Sequence, residues 1–240
     1  VNSGIMKLSQ AVGIIMGANI GTTVTSWLLS LSGLQGDNFF IQMLKPSSFS
    51  PILAMIGIIL CMSKKSDKKK DIGEILLGFA VLMYGMESMI EPLADVPEFT
   101  NILTMFHNPF LGVLAGAVLT AIIQSSSASV GILQALSVTG AFTYGSVIPI
   151  IMGQNIGTCI TAVLASIGTS RSAKRATIIH LMFNIIGTVL FTILCILFPL
   201  ADLVASFTPD APAAQIANMH TIFNIVTTLL LLPLGNQLAS

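Results

Sequence analysis

Seven apolar blocks, most of them about as long as a bilayer is thick, decide what this chain can fold into. A helix that crosses membrane hydrocarbon needs about 20 apolar residues. Residues 8–31, 72–93, 144–170, 174–200 and 213–235 meet that length, and 47–63 forms a shorter block behind Pro46 and Pro51. The seventh block, 109–139, is the longest and is interrupted by polar residues. Little is left to face water: 8% of the 240 residues are charged and 54% are hydrophobic, against about 25% charged in an ordinary soluble domain. Backbone polar groups in lipid must be satisfied within the segment, so the fold expected is an all-α, multi-pass membrane protein.

Several function classes drop out early. Ten basic and ten acidic residues cancel, which leaves no basic excess for nucleic acid. Cys61, Cys159 and Cys195 have no metal-ligand spacing and read as small apolar fillers. No phosphate-binding GxxxxGK[ST] loop, HExxH helix or nucleophile elbow occurs, so neither an ATP-driven pump nor an enzyme is supported. The chain opens on Val1 in mid-pattern, with no signal peptide, and reads as a piece of something longer.

The block 109–139 is interrupted at Gln124-Ser125-Ser126-Ser127. Each arm holds about 15 residues and reaches about 22 Å, short of a hydrocarbon core of about 30 Å. It is expected to be a re-entrant hairpin that enters and leaves on one side; two thin full spans are the alternative. Lysine and arginine set the orientation. Lys64, Lys65, Lys68, Lys69 and Lys70 form one cluster, and Arg171, Lys174 and Arg175 a second. With both clusters cytoplasmic, 8–31 runs outward, 47–63 inward, 72–93 outward and 144–170 inward. The loop with Asp95 and Glu98 is then outside, and the hairpin dips in from outside. Glu87 and Glu91 fall near the outer interface.

A repeat crosses this layout. Gly17-Ala18-Asn19-Ile20-Gly21-Thr22-Thr23 matches Gly153-Gln154-Asn155-Ile156-Gly157-Thr158-Cys159 at an offset of 136, and the charge argument points the two copies in opposite directions. Oppositely directed equivalents define an inverted repeat, whose substrate site lies at the repeat interface near the midplane. Glycines flanking an Asn loosen a helix, and Pro149 removes a donor upstream of the second copy. Broken helices are therefore expected at 17–23 and 153–159, offering carbonyl oxygens to a cation and N–H groups to an anion. The hairpin's Gln and three hydroxyls add neutral donors and acceptors suited to an oxyanion.

No Asp or Glu falls within 100–201. A proton-driven carrier shows an intramembrane carboxylate or His relay, whereas the interrupted segments offer hydroxyls, amides and carbonyls, the hard oxygens that hold Na⁺. A second echo, His180-Leu-Met-Phe-Asn184 and His220-Thr-Ile-Phe-Asn224, puts a His and an Asn four residues apart on one helix face. It is expected to supply hydrogen bonds between helices, with a polar contact toward the bundle centre as the other reading.

The run Gln124-Ser125-Ser126-Ser127-Ala128, followed by Gly153-x-Asn155-Ile156-Gly157-Thr158, resembles the type II sodium-dependent phosphate cotransporter family. Ala173-Lys174-Arg175-Ala176 with His180 and Phe183-Asn184, and Leu77-Gly78-Phe79 through Tyr84-Gly85-Met86, are similar to it as well. The resemblance implies a secondary transporter of a cell membrane that takes up inorganic phosphate with Na⁺ as coupling ion, with no other cofactor. It implies a site formed by Gln124, Ser125, Ser126, Ser127, Asn155, Gly157 and Thr158, joined by Asn19, Gly21, Thr22 and Thr23. The Na⁺ ligands are expected among Gln124, Ser125, Ser127, Thr158 and Thr22.

The resemblance also divides the chain. Residues 1–71 would be the remainder of a first inverted repeat, 72–171 a second, and 172–240 a C-terminal pair of transmembrane helices. The repeat offset places the first QSSS upstream of Val1, so half of the implied site lies outside the sequence. Another oxyanion carrier or channel, or a truncated membrane protein that does not transport, are the alternatives, and the oligomeric state stays open.

Overall fold

The computed structural model describes residues 1–33, 38–63, 67–94, 108–138, 140, 144–234 and 237. Lys64, Lys65, Asp95 and Glu98, and the side chains of Glu87 and Glu91, lie outside the described residues. Every regular element described is helical: α1 (Leu8–Ser30), α2 (Phe39–Leu44), α3 (Pro46–Met62), α4 (Asp67–Ala94), α5 (Pro109–Ile123), α6 (Ser126–Val138), α7 (Tyr144–Gly157), α8 (Cys159–Ala165), α9 (Arg171–Leu197), α10 (Leu200–Ala205) and α11 (Pro212–Leu231). Among the described residues, four stretches are long and apolar enough to cross a membrane: Leu8–Ser30, Tyr144–Ala165, Arg171–Leu197 and Pro212–Leu234.

The polarity pattern is inverted with respect to a soluble bundle. Ile14, Val24, Ile122 and Ile196 are exposed, while Ser129, Gln134, Asn184 and Asn224 are fully buried. Apolar side chains outside and hydrogen-bonding side chains inside are what a lipid solvent selects. The multi-pass membrane fold is therefore in place.

The interrupted block forms two arms of 15 and 13 residues joined at Gln124-Ser125. They reach about 22 and about 20 Å, short of a hydrocarbon core of about 30 Å. Asn108 caps the first arm, its side chain accepting from Phe110 N at 3.0 Å, and Pro109 follows at the first helical position, where a missing N–H costs nothing. Gln124 ends the arm in the left-handed region at φ 58°, and Ser125 Oγ accepts from Ala128 N at 3.2 Å to start the second.

The hairpin's first arm is clamped to α7 by glycine. A Cβ on Gly112 would lie 2.8 Å from Pro149 Cβ; one on Gly116 would meet Ile150 O, one on Gly153 would meet Val113 O, and one on Gly157 would meet Ala117 O. Two small-xxx-small stripes thus bring backbone against backbone. The register rises on both helices together, so α5 and α7 run parallel. A similar approach, Gly57 against Gly73, holds α3 antiparallel to α4. The Lys70–Glu74 pair on α4 spans 3.8 Å with both side chains 61% exposed and contributes at most about 1 kcal/mol.

Contact registers fix the other relative directions. Gly33 faces Ala213, Trp27 Nε1 donates to Thr221 Oγ1 at 3.1 Å, and Val12 and Met16 share a core cluster with Leu231, so α1 and α11 are antiparallel. Gly187 against Thr227 and Phe191 against Phe223, with ring centroids 5.1 Å apart, make α9 antiparallel to α11. Asn184 at Cys159 and Thr188 at Met152 make α7–α8 antiparallel to α9. The two copies of the repeated segment therefore run in opposite directions. The hairpin gives the same answer independently. α6 runs parallel to α1, with Gln134 on Ser26 and Val138 beside Gly33, while α5 runs parallel to α7.

Two expectations need correcting. The break expected at 17–23 is absent: α1 is continuous from Leu8 to Ser30. Thr22 Oγ1 donates to Asn19 O at 2.7 Å and Thr23 Oγ1 to Ile20 O at 2.6 Å, so the hydroxyls are absorbed by their own helix. Glycine alone costs only about 1 kcal/mol, too little to open a helix where no proline removes a donor. In the second copy the interruption shrinks to Thr158, between α7 and α8. Its backbone stays right-handed (φ −56°, ψ −29°) and its hydroxyl donates to Gln154 O at 2.8 Å. The second correction concerns the His-x-x-x-Asn echo. Asn184 Nδ2 donates to His180 O at 3.1 Å and Asn224 Nδ2 to His220 O at 2.8 Å; the Asn224 contact lies within its own helix, while Asn184 also makes the expected bond between helices, to Cys159 Sγ at 3.3 Å.

Candidate functional site

Three polar segments come to one level of the bundle. Gly157 packs on Ala117 and Thr120, in the last turns of α5 before the hairpin tip. Gln154 Nε2 donates to both the carbonyl and the hydroxyl oxygen of Ser129, each at 2.9 Å. Thr120 Oγ1 donates to the same Ser129 hydroxyl at 2.8 Å. Ser129 thus ties both hairpin arms to the second repeated segment, with Ser129, Gln154 and Thr120 all buried.

The first copy reaches the same level through α6. Gln134 Nε2 donates to Ser26 O at 2.9 Å and to Ala213 O at 3.0 Å, joining α6 to α1 and α11. Seven residues are close to two helical turns. Two turns back from Gln134 stands Ser127, and two turns back from Ser26 stands Asn19. Because α1 and α6 are parallel, Ser127 and Asn19 are level. Asn19 Nδ2 is buried with no hydrogen-bond partner, a free donor at the height of the tip. Replacing Gln134 by leucine removes the hydrogen bonds that join α6 to α1 and α11 and is expected to lower stability in detergent by about 1–2 kcal/mol; a thermal melt reads it.

The expected site residues divide by position. Asn155 and Gly157 are buried, Thr158 and Ser125–Ser127 are half-buried, and Gln124 is exposed at the tip. In the first copy Asn19 and Thr23 are buried and Thr22 half-buried, but Gly21 is exposed, with nothing within 4 Å of where a Cβ would stand. Asn155 Nδ2 donates back to Ile151 O at 2.9 Å. Residues 153–158 and the tip are therefore together, while the first copy contributes only the Asn19–Thr23 face of α1.

Some residues were not singled out by the sequence reading. Ser129 and Gln134 sit inside an apolar block and carry no spacing signal. Gln154 had one: it is one of the two positions where the repeat copies differ, Gln against Ala18, the other being Cys159 against Thr23. Cys159 is more than a filler, since its sulfur accepts from Asn184 Nδ2 at 3.3 Å. A groove of about 620 Å³ between α5, α7 and α9 is lined by Val113, Ala117, Ile156, Val189 and Ile193 with only Thr188 and Thr192 polar; that lining suits hydrocarbon, not an ion. Among the described residues there is no group of three His, Cys, Asp or Glu placed to hold a metal.

The chain's sequence matches the family described as Na⁺/Pi-cotransporter over residues 1–91 and 94–208. The chain belongs to the Na⁺/Pi-cotransporter family. Relatives of this family include YqeW of Bacillus subtilis, an uncharacterized protein 30% identical over 240 residues, which cover 98% of this chain and 73% of YqeW. The YjbB protein of Escherichia coli K12, described as a putative inorganic phosphate export protein, is 22% identical over 244 residues, covering all of this chain and 42% of YjbB. Human sodium-dependent phosphate transport protein 2B is 37% identical over 93 residues, 36% of this chain and 14% of that protein. The chain thus spans less than half the length of the phosphate-transport relatives it matches. No solved structure matches it.

Proposed function

We propose that the chain carries inorganic phosphate across a membrane with Na⁺ as coupling ion, by alternating access around the level shared by Ser127, Asn19 and Asn155. The observation that supports this most is the convergence of the hairpin tip with two oppositely directed copies of one polar segment, in a family described by Na⁺ and phosphate. Gln124, Ser125, Ser126 and Ser127 would bind at the tip, Asn155, Gly157 and Thr158 from the second copy, and Asn19, Thr22 and Thr23 from the first, with Gly21 on the outer side of α1 left out. The free N–H groups at the start of α6 and Asn19 Nδ2 suit phosphate oxygens, and hydroxyl and amide oxygens suit Na⁺. Residues 72–171 would form one repeat, 1–71 the remainder of the other, and α9 and α11 the wall between them.

Na⁺ would partly cancel phosphate charge where the dielectric is low, so coupling follows from co-binding. Uptake down a Na⁺ gradient is the expected direction. Export is the second reading, favoured by the YjbB resemblance. Proteoliposomes holding the chain and loaded with ³²P-phosphate test the coupling that both directions share. Phosphate flux should follow an imposed Na⁺ gradient in whichever direction it points, and collapse when choline replaces Na⁺. Ser127→Ala and Asn155→Ala should each lower flux at least tenfold with membrane insertion intact. Flux indifferent to choline, or full flux in both variants, overturns the reading.

A further inference from the structure

We propose that α11 carries a Na⁺ site of its own, made by Asn224 Oδ1 and the hydroxyls of Thr227 and Thr228, outside the repeated segments. The inference rests on the Na⁺-coupled reading above and adds a ligand set to it.

In a helix a threonine hydroxyl ordinarily donates to a carbonyl one turn back. Thr22, Thr158, Thr192 and Thr221 all do so, at 2.7, 2.8, 2.8 and 2.7 Å. Thr227 and Thr228 do not: both hydroxyl oxygens are buried with no partner, and so is Asn224 Oδ1. Asn224, Thr227 and Thr228 are 0%, 1% and 6% exposed. An unpartnered buried acceptor costs about 1–3 kcal/mol, and here three fall within one turn of one helix.

Their placement makes them a set. Thr227 and Thr228 follow Asn224 by three and four residues, so they flank it by about 60° on one side and about 40° on the other. Helical side chains lean toward the N-terminus, so both hydroxyls lie over the turn that carries Asn224. That amide is fixed by its Nδ2 bond to His220 O, leaving Oδ1 on the opposite side. Gly187 of α9 closes the wall: a Cβ there would stand 2.8 Å from Thr227 Oγ1. By the antiparallel register of α1 and α11, Asn224–Thr228 is level with Asn19–Thr23.

Three neutral hard oxygens in a water-poor interior are ligands for a dehydrated Na⁺. No carboxylate completes the set among the described residues, so the site would bind weakly alone. Phosphate held across from it, at Asn19 and the hairpin tip, would supply the countercharge. Each ion would then raise the affinity of the other by the same factor.

Binding of ²²Na⁺ to the purified chain in nanodiscs, with and without inorganic phosphate and with choline as balancing ion, tests this. Thr227→Val and Thr228→Val preserve shape and should each weaken Na⁺ binding about tenfold, while Thr227→Ser and Thr228→Ser restore it. Asn224→Asp adds a carboxylate and should tighten Na⁺ binding about tenfold in the absence of phosphate. Valine variants with wild-type Na⁺ affinity and stoichiometry, or an unchanged affinity in Asn224→Asp, overturn the α11 site and leave the coupled reading standing. A wild-type chain that binds no Na⁺ under either condition overturns both.

Discussion

Alanine at Gly153 is expected to cost this bundle about 3 kcal/mol or more of stability, while alanine at Gly17, its counterpart in the repeat, is expected to cost nothing. A Cβ on Gly153 would run into Val113 O and stand 2.9 Å from Ala117 N. Both obstacles are backbone, held in turn by the Gly112 and Gly116 contacts, so neither can rotate aside. Overpacking of ordinary cores costs about 1–3 kcal/mol; an obstruction made of backbone belongs at or above the top of that range. Gly17 has nothing within 4 Å of a Cβ. Replacing a mid-helix glycine there should leave stability unchanged or raise it by up to about 1 kcal/mol. Thermal melts of the two variants in one detergent make the comparison. Equal losses would show that the glycine face of α1 is packed as tightly as that of α7, and the asymmetry argued here would be wrong.

That contrast marks where the sequence was legible. Block boundaries were: 109–139 became two arms meeting at Gln124-Ser125, and 174–200 became α9, because apolar length and Ser/Gln interruption act locally. Relative directions were legible too, since the lysine and arginine clusters fix them before any contact forms. What the glycines do was not. Gly153 and Gly157 read as loosening elements beside Asn155, yet they are the surface on which α5 lies. Spacing four apart supports both uses, and only the arrival of Gly112 and Gly116 from another segment selects packing. The same holds for threonine. Thr22 and Thr23 looked like ligands in an opened helix, but their hydroxyls found carbonyls of their own turn. Thr227 and Thr228, unremarkable in an apolar run, did not. Satisfaction of a hydroxyl depends on rotamer and neighbours, which no one-dimensional pattern records.

Ser129→Ala is expected to uncouple the hairpin from α7 and abolish phosphate flux, though it deletes one atom. Ser129 Oγ receives Thr120 Oγ1 at 2.8 Å and Gln154 Nε2 at 2.9 Å. Its loss leaves Thr120 without an acceptor in a buried place and Gln154 with the Ser129 carbonyl alone. One stranded donor costs about 1–3 kcal/mol, so stability should fall by about 2 kcal/mol with the chain still folded. The functional loss should be larger than that figure implies. The bonds stand one turn from the tip, and a shift of about 1 Å in a binding constellation costs about a hundredfold. Gln154→Met keeps length and removes the donor. A double-mutant cycle between Ser129→Ala and Gln154→Met should give a coupling of about 1 kcal/mol in the melt, since the two touch. Additive losses, or Ser129→Ala flux within twofold of wild type, would mean that the tip is positioned by the glycine contacts alone and that Ser129 only fills space between the arms.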